Sequence, residues 1–432
     1  MAESDFHWRE IIVPAYGPSI LFGLGKGAVL PIIALTAIDL NASHAVSGFI
    51  VALVGLGSLI NNMPAAHITA RLGERLALVG ASVFSMLGLL LCILARGPTL
   101  LGVGVFMLGM STSVFYLARQ TYLIDVVPVR LRARAFSMLG GTERIGLFAG
   151  PFGAAAIMHF MGLDGAYWLA IVALAAAGML SFAIPDSRVA APQRTTADGR
   201  PAPRTGGTDM ISLARRHRHV LLTLGMGVML IGALRASRQV AVPLWAEYIG
   251  LSPAATAVVF GLISGIDMLV FYPAGKIMDE HGRLWVALPC TLLLGLSFVS
   301  IPMTASLLPF VLISAVMGFG NGIGSGIVMT LGADASPAEG RTQFLGLWRL
   351  ISDIGTSSGP VLLAGITAAA SLAAGIGIIG LSGFVAAAIF WRHLPHGKPA
   401  PGKPAPDKAA PAGPVSNRSA PRDGPDSEDQ QP

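Results

Sequence analysis

Nine charged side chains fall inside long apolar stretches of this 432-residue sequence, and their types suit ion pairing, proton exchange or anion binding. They are Lys26, Arg119, Glu143, Arg144, Arg235, Arg238, Asp267, Arg349 and Asp353. A charge in the middle of a membrane is costly unless it is paired or hydrated, so such a residue usually faces a partner or a cavity. These nine residues are therefore the first candidates for function.

Two of the acids, Asp267 and Asp353, are candidates for proton coupling. A carboxyl group that is buried, or that loses a basic partner, binds a proton closer to physiological pH than one in water. Arg349 and Asp353 are spaced i, i+4, so they can pair along one helix. The alternative for each acid is a permanent structural ion pair.

Twelve apolar stretches position these charges. The chain is 53% hydrophobic and 12% charged, and its mean hydropathy is +0.68. About 20 apolar residues are needed for a helix to cross the hydrocarbon core. The composition excludes a soluble globular protein and predicts an all-α membrane protein with 12 transmembrane helices. The predicted spans are 11–38, 44–66, 76–95, 98–124, 134–158, 164–185, 219–244, 253–276, 285–303, 307–331, 342–369 and 371–391.

The sequence repeats itself once, at an offset of 209 residues. Gly73 recurs as Gly282, Asp125 as Asp334, and Lys26 as Arg235. The repeat predicts two pseudo-symmetric six-helix bundles, over residues 1–185 and 219–394, which is typical of alternating-access transporters. A polar segment at 186–218 is the predicted cytoplasmic linker. The Pro-, Ala- and Lys-rich segment 395–432 is predicted to be a disordered cytoplasmic tail.

The basic residues predict the orientation. If the spans alternate, 22 of the 29 Lys and Arg fall on one side and only Arg96 on the other. Positive loops stay in the cytoplasm, so both termini should be cytoplasmic. Topology therefore explains the net charge of +6, and no nucleic-acid partner is needed.

Two loops carry a motif that identifies a family. The segment 273–283 reads Pro-Ala-Gly-Lys-Ile-Met-Asp-Glu-His-Gly-Arg, and its first-half copy begins at Pro64. Both loops resemble the signature between spans 2 and 3, and between spans 8 and 9, of the major facilitator superfamily. The first copy departs from the family pattern, since Ala70 replaces its Asp and Glu74 a basic residue.

The resemblance implies a charged gate at the cytoplasmic face. Asp125 is expected to pair with Arg71 or Arg75, and Asp334 with Arg283. The alternative is a set of solvated loop charges, each contributing ~0–1 kcal/mol. The predicted gate residues are Arg71, Gly73, Arg75, Asp125, Asp279, Gly282, Arg283 and Asp334.

A second motif predicts close helix contacts. Glycines four residues apart let a neighbouring helix approach, and a following proline bends the helix. The motif comprises Gly146, Gly150 and Pro151 in span 5, and Gly355, Gly359 and Pro360 in span 11. The antiporter branch of the superfamily carries a similar element in span 5. Its presence in both halves makes it modest support for export over import.

The family fold also implies partners for the charges inside the spans. In that fold span 5 packs on span 8 and span 2 on span 11, so Arg144 and Asp267 are expected to meet. Glu143, Arg144 and Arg349 are the candidates for pairing between the halves. Spans 1, 4, 7 and 10 line the cavity in the family, which makes Tyr116 and Phe319 substrate-binding candidates. Tyr16, Phe22, Phe115 and Trp245 are further pocket candidates.

Lys26, Arg235 and Arg238 are the basic candidates for substrate binding. One interpretation is that they hold an anionic or carboxylate-bearing substrate. The other is that Arg235 and Arg238 only pair with Asp267 and Asp353, which leaves a mainly apolar pocket.

The resemblance implies a secondary active transporter of a bacterial inner membrane, similar to twelve-span drug:proton antiporters. Proton-coupled efflux of amphipathic compounds is expected, with the lipid bilayer, protons and a small molecule as partners, no cofactor and a monomeric state. A proton symporter or facilitator that imports a small organic anion is the alternative. A membrane enzyme is disfavoured, because no nucleophile–base pair and no metal-ligand spacing occur in the sequence.

Overall fold

The computed structural model of the chain describes residues 8–128, 131–184, 210–337 and 340–395. These residues form fifteen α-helices and no β-strand, which confirms the all-α prediction. The first half of the chain contributes α1 (Trp8–Asp39), α2 (His44–Leu72), α3 (Glu74–Ile93), α4 (Pro98–Val126), α5 (Arg132–Met161) and α6 (Asp164–Ser181).

The second half has the same six spans, but two of them are divided. Its helices are α7 (Met210–Arg216), α8 (Arg218–Leu222), α9 (Leu224–Tyr248), α10 (Pro253–His281), α11 (Leu284–Ser300), α12 (Leu307–Ile323), α13 (Ile327–Ala335), α14 (Arg341–Ala369) and α15 (Leu372–His393). A single 3-10 turn, Ile301–Met303, extends α11. The predicted linker overlaps α7 and α8, and most of it lies outside the described residues, as does the predicted tail beyond residue 395.

Local sequence signals start and stop equivalent helices in both halves. The Ser43 side chain accepts a hydrogen bond from the Val46 backbone N–H at the start of α2, and Ser252 does the same at the start of α10. Serine is a preferred N-cap because its hydroxyl satisfies a free N–H. Gly73 ends α2 with φ 80° and Gly282 ends α10 with φ 103°. A side chain at either glycine would be strained.

Eleven helical segments are long and apolar enough to cross a membrane. The one remaining predicted span, the eleventh in chain order, corresponds to α14. It has 29 residues but carries Arg341, Arg349 and Asp353 and a polar stretch at 355–359. It nevertheless packs among α2, α9 and α15. The protein is therefore a multi-pass membrane protein, in agreement with the twelve-helix prediction.

The helices pack as two bundles with the same internal arrangement. In the first bundle α1 packs on α5 and α6, and α4 packs on α2 and α3. In the second, α9 packs on α14 and α15, and α12 packs on α10 and α11. The bundles join chiefly through three helix pairs: α5 with α10, α2 with α14, and α1 with α9.

The Gly-xxx-Gly motifs form the tightest helix crossings within each bundle. A Cβ on Gly146 would collide with the Ile20 carbonyl of α1, and one on Gly355 with the Met229 carbonyl of α9. Gly150 and Gly359 are equally close to the same two helices. Backbones therefore meet directly at these crossings, as small residues permit.

The bundles touch near one face and separate toward the other. We call the face where α2 ends at Leu72 and α15 ends at His393 the terminal face, and the other the opposite face. Toward the opposite face, Ile32 and Ile33 of α1 and Val240 of α9 are buried. Toward the terminal face, a cavity separates α2 from α14, and Asn62 and Leu350 lie on its two sides.

Two spans differ from their predictions. The predicted span 219–244 is interrupted at Thr223, between α8 and α9. The sequence predicts a continuous helix over 307–331, but the chain leaves the helix at Gly324 and resumes it at Ile327. Glycine lowers helix propensity by ~1 kcal/mol per residue, and the segment 318–326 contains five glycines. Irregular backbone at membrane depth is tolerated where it lines a cavity or is buried in protein.

Candidate functional site

A cavity of about 440 Å³ separates the two bundles on the terminal side of their contact. It is closed toward the opposite face where the Ser357 hydroxyl donates a 3.3 Å hydrogen bond to the Gly55 carbonyl. Polar side chains from three helices line it: Ser58 and Asn62 of α2, Ser113, Tyr116 and Gln120 of α4, and Arg349, Asp353, Thr356 and Ser357 of α14. We call this space the central cavity.

The cavity wall contains a charged pair on α14. Arg349 Nε and Asp353 Oδ2 lie 4.0 Å apart, one helical turn from each other. This is the i, i+4 pairing that the sequence predicts. Arg349 was also a candidate for pairing between the halves, but its described ion-pair partner is on its own helix.

A buried network occupies the first bundle beside this cavity. The Lys26 ammonium donates a 2.7 Å hydrogen bond to the Tyr116 hydroxyl, and that hydroxyl donates to Glu143 Oε1. Arg119 Nη2 donates to Glu143 Oε2 at 3.2 Å. Tyr116 therefore connects the cavity with a carboxylate that two cations hold.

The network corrects two expectations. Glu143 was a candidate for pairing between the halves, but it bonds inside the first bundle. Lys26 was expected to add positive charge to the substrate cavity, but Glu143 balances its charge at 3.9 Å. Lys26 borders a separate cavity of about 40 Å³ within the first bundle.

A second network joins the bundles. Arg144 Nη1 of α5 donates a 3.0 Å hydrogen bond to Asp267 Oδ1 of α10. Asn321 of α12 donates to Asp267 Oδ2 at 2.7 Å, and Ser325, at the break in span 10, donates to Oδ1 at 3.3 Å. The Asp267 side chain is 14% exposed. The sequence predicts the Arg144–Asp267 contact, but it does not predict that Asn321 and Ser325 are hydrogen-bond partners of Asp267.

Two further arginines lie close to this network. Arg238 of α9 is within electrostatic range of Asp267, Arg235 and Arg144, and its guanidinium lies over the Phe260 ring at 5.9 Å. Among the described residues, Nε and Nη2 of Arg235 and Nε and Nη1 of Arg238 are buried without hydrogen-bond partners. Asp353 pairs with Arg349 and not with these two arginines.

Most of the aromatic candidates pack instead of lining the central cavity. Phe22 stacks on Phe115 at 3.9 Å. The Tyr16 hydroxyl donates to the Ala135 carbonyl, and the Trp245 indole donates to Thr304. Phe319 is 45% exposed and is not part of the cavity wall. Tyr116 is the one substrate-binding aromatic candidate that the described cavity lining includes.

The predicted Arg283–Asp334 pair forms at the terminal face of the second bundle. Arg283 Nε donates a 2.8 Å hydrogen bond to Asp334 Oδ2 and lies 3.6 Å from Asp279. In the first bundle the Arg75 guanidinium lies over the Phe182 ring at 5.3 Å. The pairing of Asp125 with Arg71 or Arg75 stays a prediction.

The opposite face carries a contact that sequence reasoning missed. His44 Nε2, at the start of α2, lies 3.0 Å from Glu247 Oε2, near the end of α9. The two residues belong to different bundles. No repeat equivalence or motif marks them, so the sequence offers no signal for their contact.

The described residues contain no cluster of three His, Cys, Asp or Glu side chains suited to a metal ion. Cys92 and Cys290 are both buried and free.

Two pseudo-symmetric bundles around a charged central cavity are the architecture of a secondary transporter. The family model of the Major Facilitator Superfamily matches residues 19–280 and 224–423. The chain belongs to the Major Facilitator Superfamily.

Known proteins support this assignment at different levels. Multidrug resistance protein MdtG of Escherichia coli (strain SMS-3-5 / SECEC) is 27% identical over 174 residues, which cover 37% of this chain and 43% of that relative. The match therefore spans less than half of the relative.

A POT family transporter solved with a thioalcohol-conjugated peptide aligns with a TM-score of 0.72 and 12% identity, over 89% of this chain and 96% of that one. A D-xylose–proton symporter aligns with a TM-score of 0.67 and 15% identity, over 90% and 98% of the two chains. These structures share the fold.

Proposed function

We propose that this protein is a proton-coupled transporter that exports small amphipathic molecules by alternating access. The observation that carries the coupling is the position of Asp267. Its carboxylate accepts hydrogen bonds from Arg144 of the first bundle and from Asn321 of the second. Movement of one bundle against the other changes the distance between α5 and α10, and so breaks or forms the Arg144–Asp267 bond.

Loss of that bond has a chemical consequence. A carboxylate in a low-dielectric site that loses its guanidinium partner is left with an uncompensated charge. Proton uptake removes this charge, so the bundle movement and the protonation of Asp267 are linked. Asp353, on the wall of the central cavity, is the second candidate for the same exchange, because its pairing with Arg349 at 4.0 Å is looser.

The direction of transport and the substrate class are inferred from a relative, a motif and the cavity lining. The relative MdtG is called a multidrug resistance protein, and the span 5 motif resembles that of antiporters. The central cavity combines the Tyr116 ring with apolar Leu59 and Leu117 and several hydroxyl and amide groups. Such a mixed lining suits amphipathic molecules.

The excess of basic residues at the terminal face favours a cytoplasmic location for both termini. In that orientation the central cavity opens to the cytoplasm of a bacterial cell, across its inner membrane. The charged loops around Arg283 and Asp334 then form a gate that closes when the cavity opens outward. We propose a monomer as the functional unit, since each chain supplies both bundles.

Everted membrane vesicles test this function. With rhodamine 6G and fluorescein as amphipathic probes, acidification of the vesicle interior should drive dye accumulation by the wild-type protein. Collapse of the proton gradient should stop it. Dye movement that ignores the gradient would reject proton coupling, and gradient-driven loss of preloaded dye from the vesicles would reject export.

Uptake of a small organic anion is the second candidate function. The unpartnered N–H groups of Arg235 and Arg238 favour it, because two buried guanidinium groups suit a carboxylate. The same vesicle experiment separates uptake from export by the direction of dye movement.

A further inference from the structure

The two halves differ in the counter-charge of one basic residue. Lys26 of α1 and Arg235 of α9 are equivalent in the 209-residue repeat, and so are Glu143 of α5 and Ser352 of α14. In the first bundle Glu143 supplies the carboxylate that balances Lys26. In the second bundle a serine stands where that carboxylate would be.

Backbone packing shows that the two sites are structurally equivalent. A Cβ on Gly23 of α1 would lie 2.5 Å from the Glu143 carbonyl. A Cβ on Gly232 of α9 would lie 2.9 Å from the Ser352 carbonyl. Gly23 and Gly232 are also repeat equivalents, so α9 crosses α14 at Ser352 as α1 crosses α5 at Glu143.

None of the ion pairs found among the described residues includes Arg235. Its guanidinium lies beside the Cys290 thiol and Gly324 at the break in span 10. A neutral thiol cannot balance a guanidinium. Among the described residues, Nε and Nη2 of Arg235 have no hydrogen-bond acceptor, although buried donors are normally satisfied.

Arg238 adds to this imbalance. Arg238 lies within electrostatic range of Arg144, Arg235 and one carboxylate, Asp267. The oxygens of that carboxylate accept hydrogen bonds from Arg144, Asn321 and Ser325. The cluster therefore keeps an excess of positive charge and several unused N–H donors at the depth of the inter-bundle contact. Discontinuous helices such as α12 and α13 commonly mark substrate sites in transporters.

We propose that Arg235 and Arg238 bind an anionic group of the transported molecule, in the place that the Glu143 carboxylate fills in the first bundle. A carboxylate accepts two parallel N–H bonds from one guanidinium. This inference rests on the proposed transport function and names the chemical class of its substrate as organic anions, including amphipathic acids.

Binding by the purified full-length protein in detergent tests the proposal. The probes are benzoate, its uncharged analogue benzamide, and chloride, with the thermal unfolding temperature and tryptophan fluorescence as readouts. Benzoate should raise the unfolding temperature in a saturable manner, whereas benzamide should not. Equal effects of benzoate and benzamide, or no effect of benzoate, would overturn the proposal. Stabilisation by chloride equal to that by benzoate would indicate a simple halide site instead of a substrate site, and would also overturn it.

Two variants localise the site. Arg235→Gln should weaken benzoate binding by about tenfold or more, since it removes a charge-assisted hydrogen bond. Ser352→Glu should do the same while Arg235 is intact, because it supplies the missing carboxylate. Ser352→Glu should also raise the unfolding temperature of the ligand-free protein above that of Ser352→Gln. If Ser352→Glu binds benzoate like the wild type and is no more stable than Ser352→Gln, the site is not where we place it.

Lys276→Gln is the matched control, since this side chain is 72% exposed at the terminal face, and it should leave benzoate binding unchanged. The binding measurement needs no proton gradient. Proton-driven transport that survives in both Asp267→Asn and Asp353→Asn, with retained benzoate binding, would count against the proposed coupling and leave the anion site standing.

Discussion

His44 and Glu247 hold the two bundles together at the opposite face, with 3.0 Å between Nε2 and Oε2. Both side chains are about one-third exposed, so the pair contributes roughly 0.2–1 kcal/mol. A contact of this strength biases a conformational equilibrium without locking it. Separation of α2 and α9 breaks the contact, and that is the movement that opens the opposite face.

His44→Gln should therefore increase the population that is open at the opposite face, by up to about fivefold for a loss of ~1 kcal/mol. Arg96→Cys and Ala305→Cys, in opposite-face loops of the two bundles, provide sites for two spin labels. The distance between the labels, measured by double electron–electron resonance, would report this population. Glu280→Gln, which removes an exposed pair within α10, is the control. An unchanged distance distribution in His44→Gln would show that the pair has no part in gating.

Asp267→Asn should abolish proton-driven dye accumulation, to the level of vesicles without the protein, and should leave exchange of labelled for unlabelled substrate intact. The amide keeps the size of the side chain but cannot exchange a proton. Asp353→Asn tests the second acid in the same assay. Proton-driven transport that survives in both variants would eliminate these acids as coupling sites.

Gly146→Ala should destabilise the protein by about 1–3 kcal/mol, because overpacking a tight contact forces the backbones apart. The added methyl would meet the Ile20 carbonyl and Leu24 of α1. Gly140→Ala lies on the same helix with open space around it and should be neutral or slightly stabilising. Thermal unfolding in detergent compares the two, and equal unfolding temperatures would show that the α1–α5 crossing is looser than described.

Glu143→Gln should destabilise the first bundle by about 3 kcal/mol, since it leaves Lys26 and Arg119 without their shared carboxylate. The Glu143 side chain is only 15% exposed, so water screens little of the effect. Glu280→Gln removes a half-exposed acid and should change stability by less than about 1 kcal/mol. Similar losses in both variants would mean that the network is more hydrated than its burial indicates.

Much of this arrangement follows from the repeat and the depth of each charge. Equal depth and the family packing order predict the Arg144–Asp267 contact, and helix spacing predicts Arg349–Asp353. The hydrogen-bond and ion-pair partners of Glu143 could not be predicted in this way. It precedes Arg144 by one residue, so the two side chains point about 100° apart around the helix. Arg144 therefore faces α10, while Glu143 faces α1 and α4.

Other features depend on tertiary context. The break in span 10 has a sequence signal in its glycines, but glycine is frequent throughout the spans. The hydrogen bond from Ser325 to Asp267 at this break is a tertiary contact that no sequence pattern predicts. His44 and Glu247 lie at helix ends 203 residues apart. Their contact depends on closure of the bundles at that face, and no pattern in the sequence predicts this closure.

The glycine crossings have a mechanical consequence. Gly146 and Gly150 fix α5 to α1, and Gly355 and Gly359 fix α14 to α9, through backbone contacts with no flexible side chain between them. Each of these four helices also touches the other bundle. A displacement at the bundle interface should therefore move both helices of each glycine-packed pair together, with little deformation inside the bundle. This packing predicts that the two bundles move as stiff bodies and that the flexibility needed for transport lies at the interface between them.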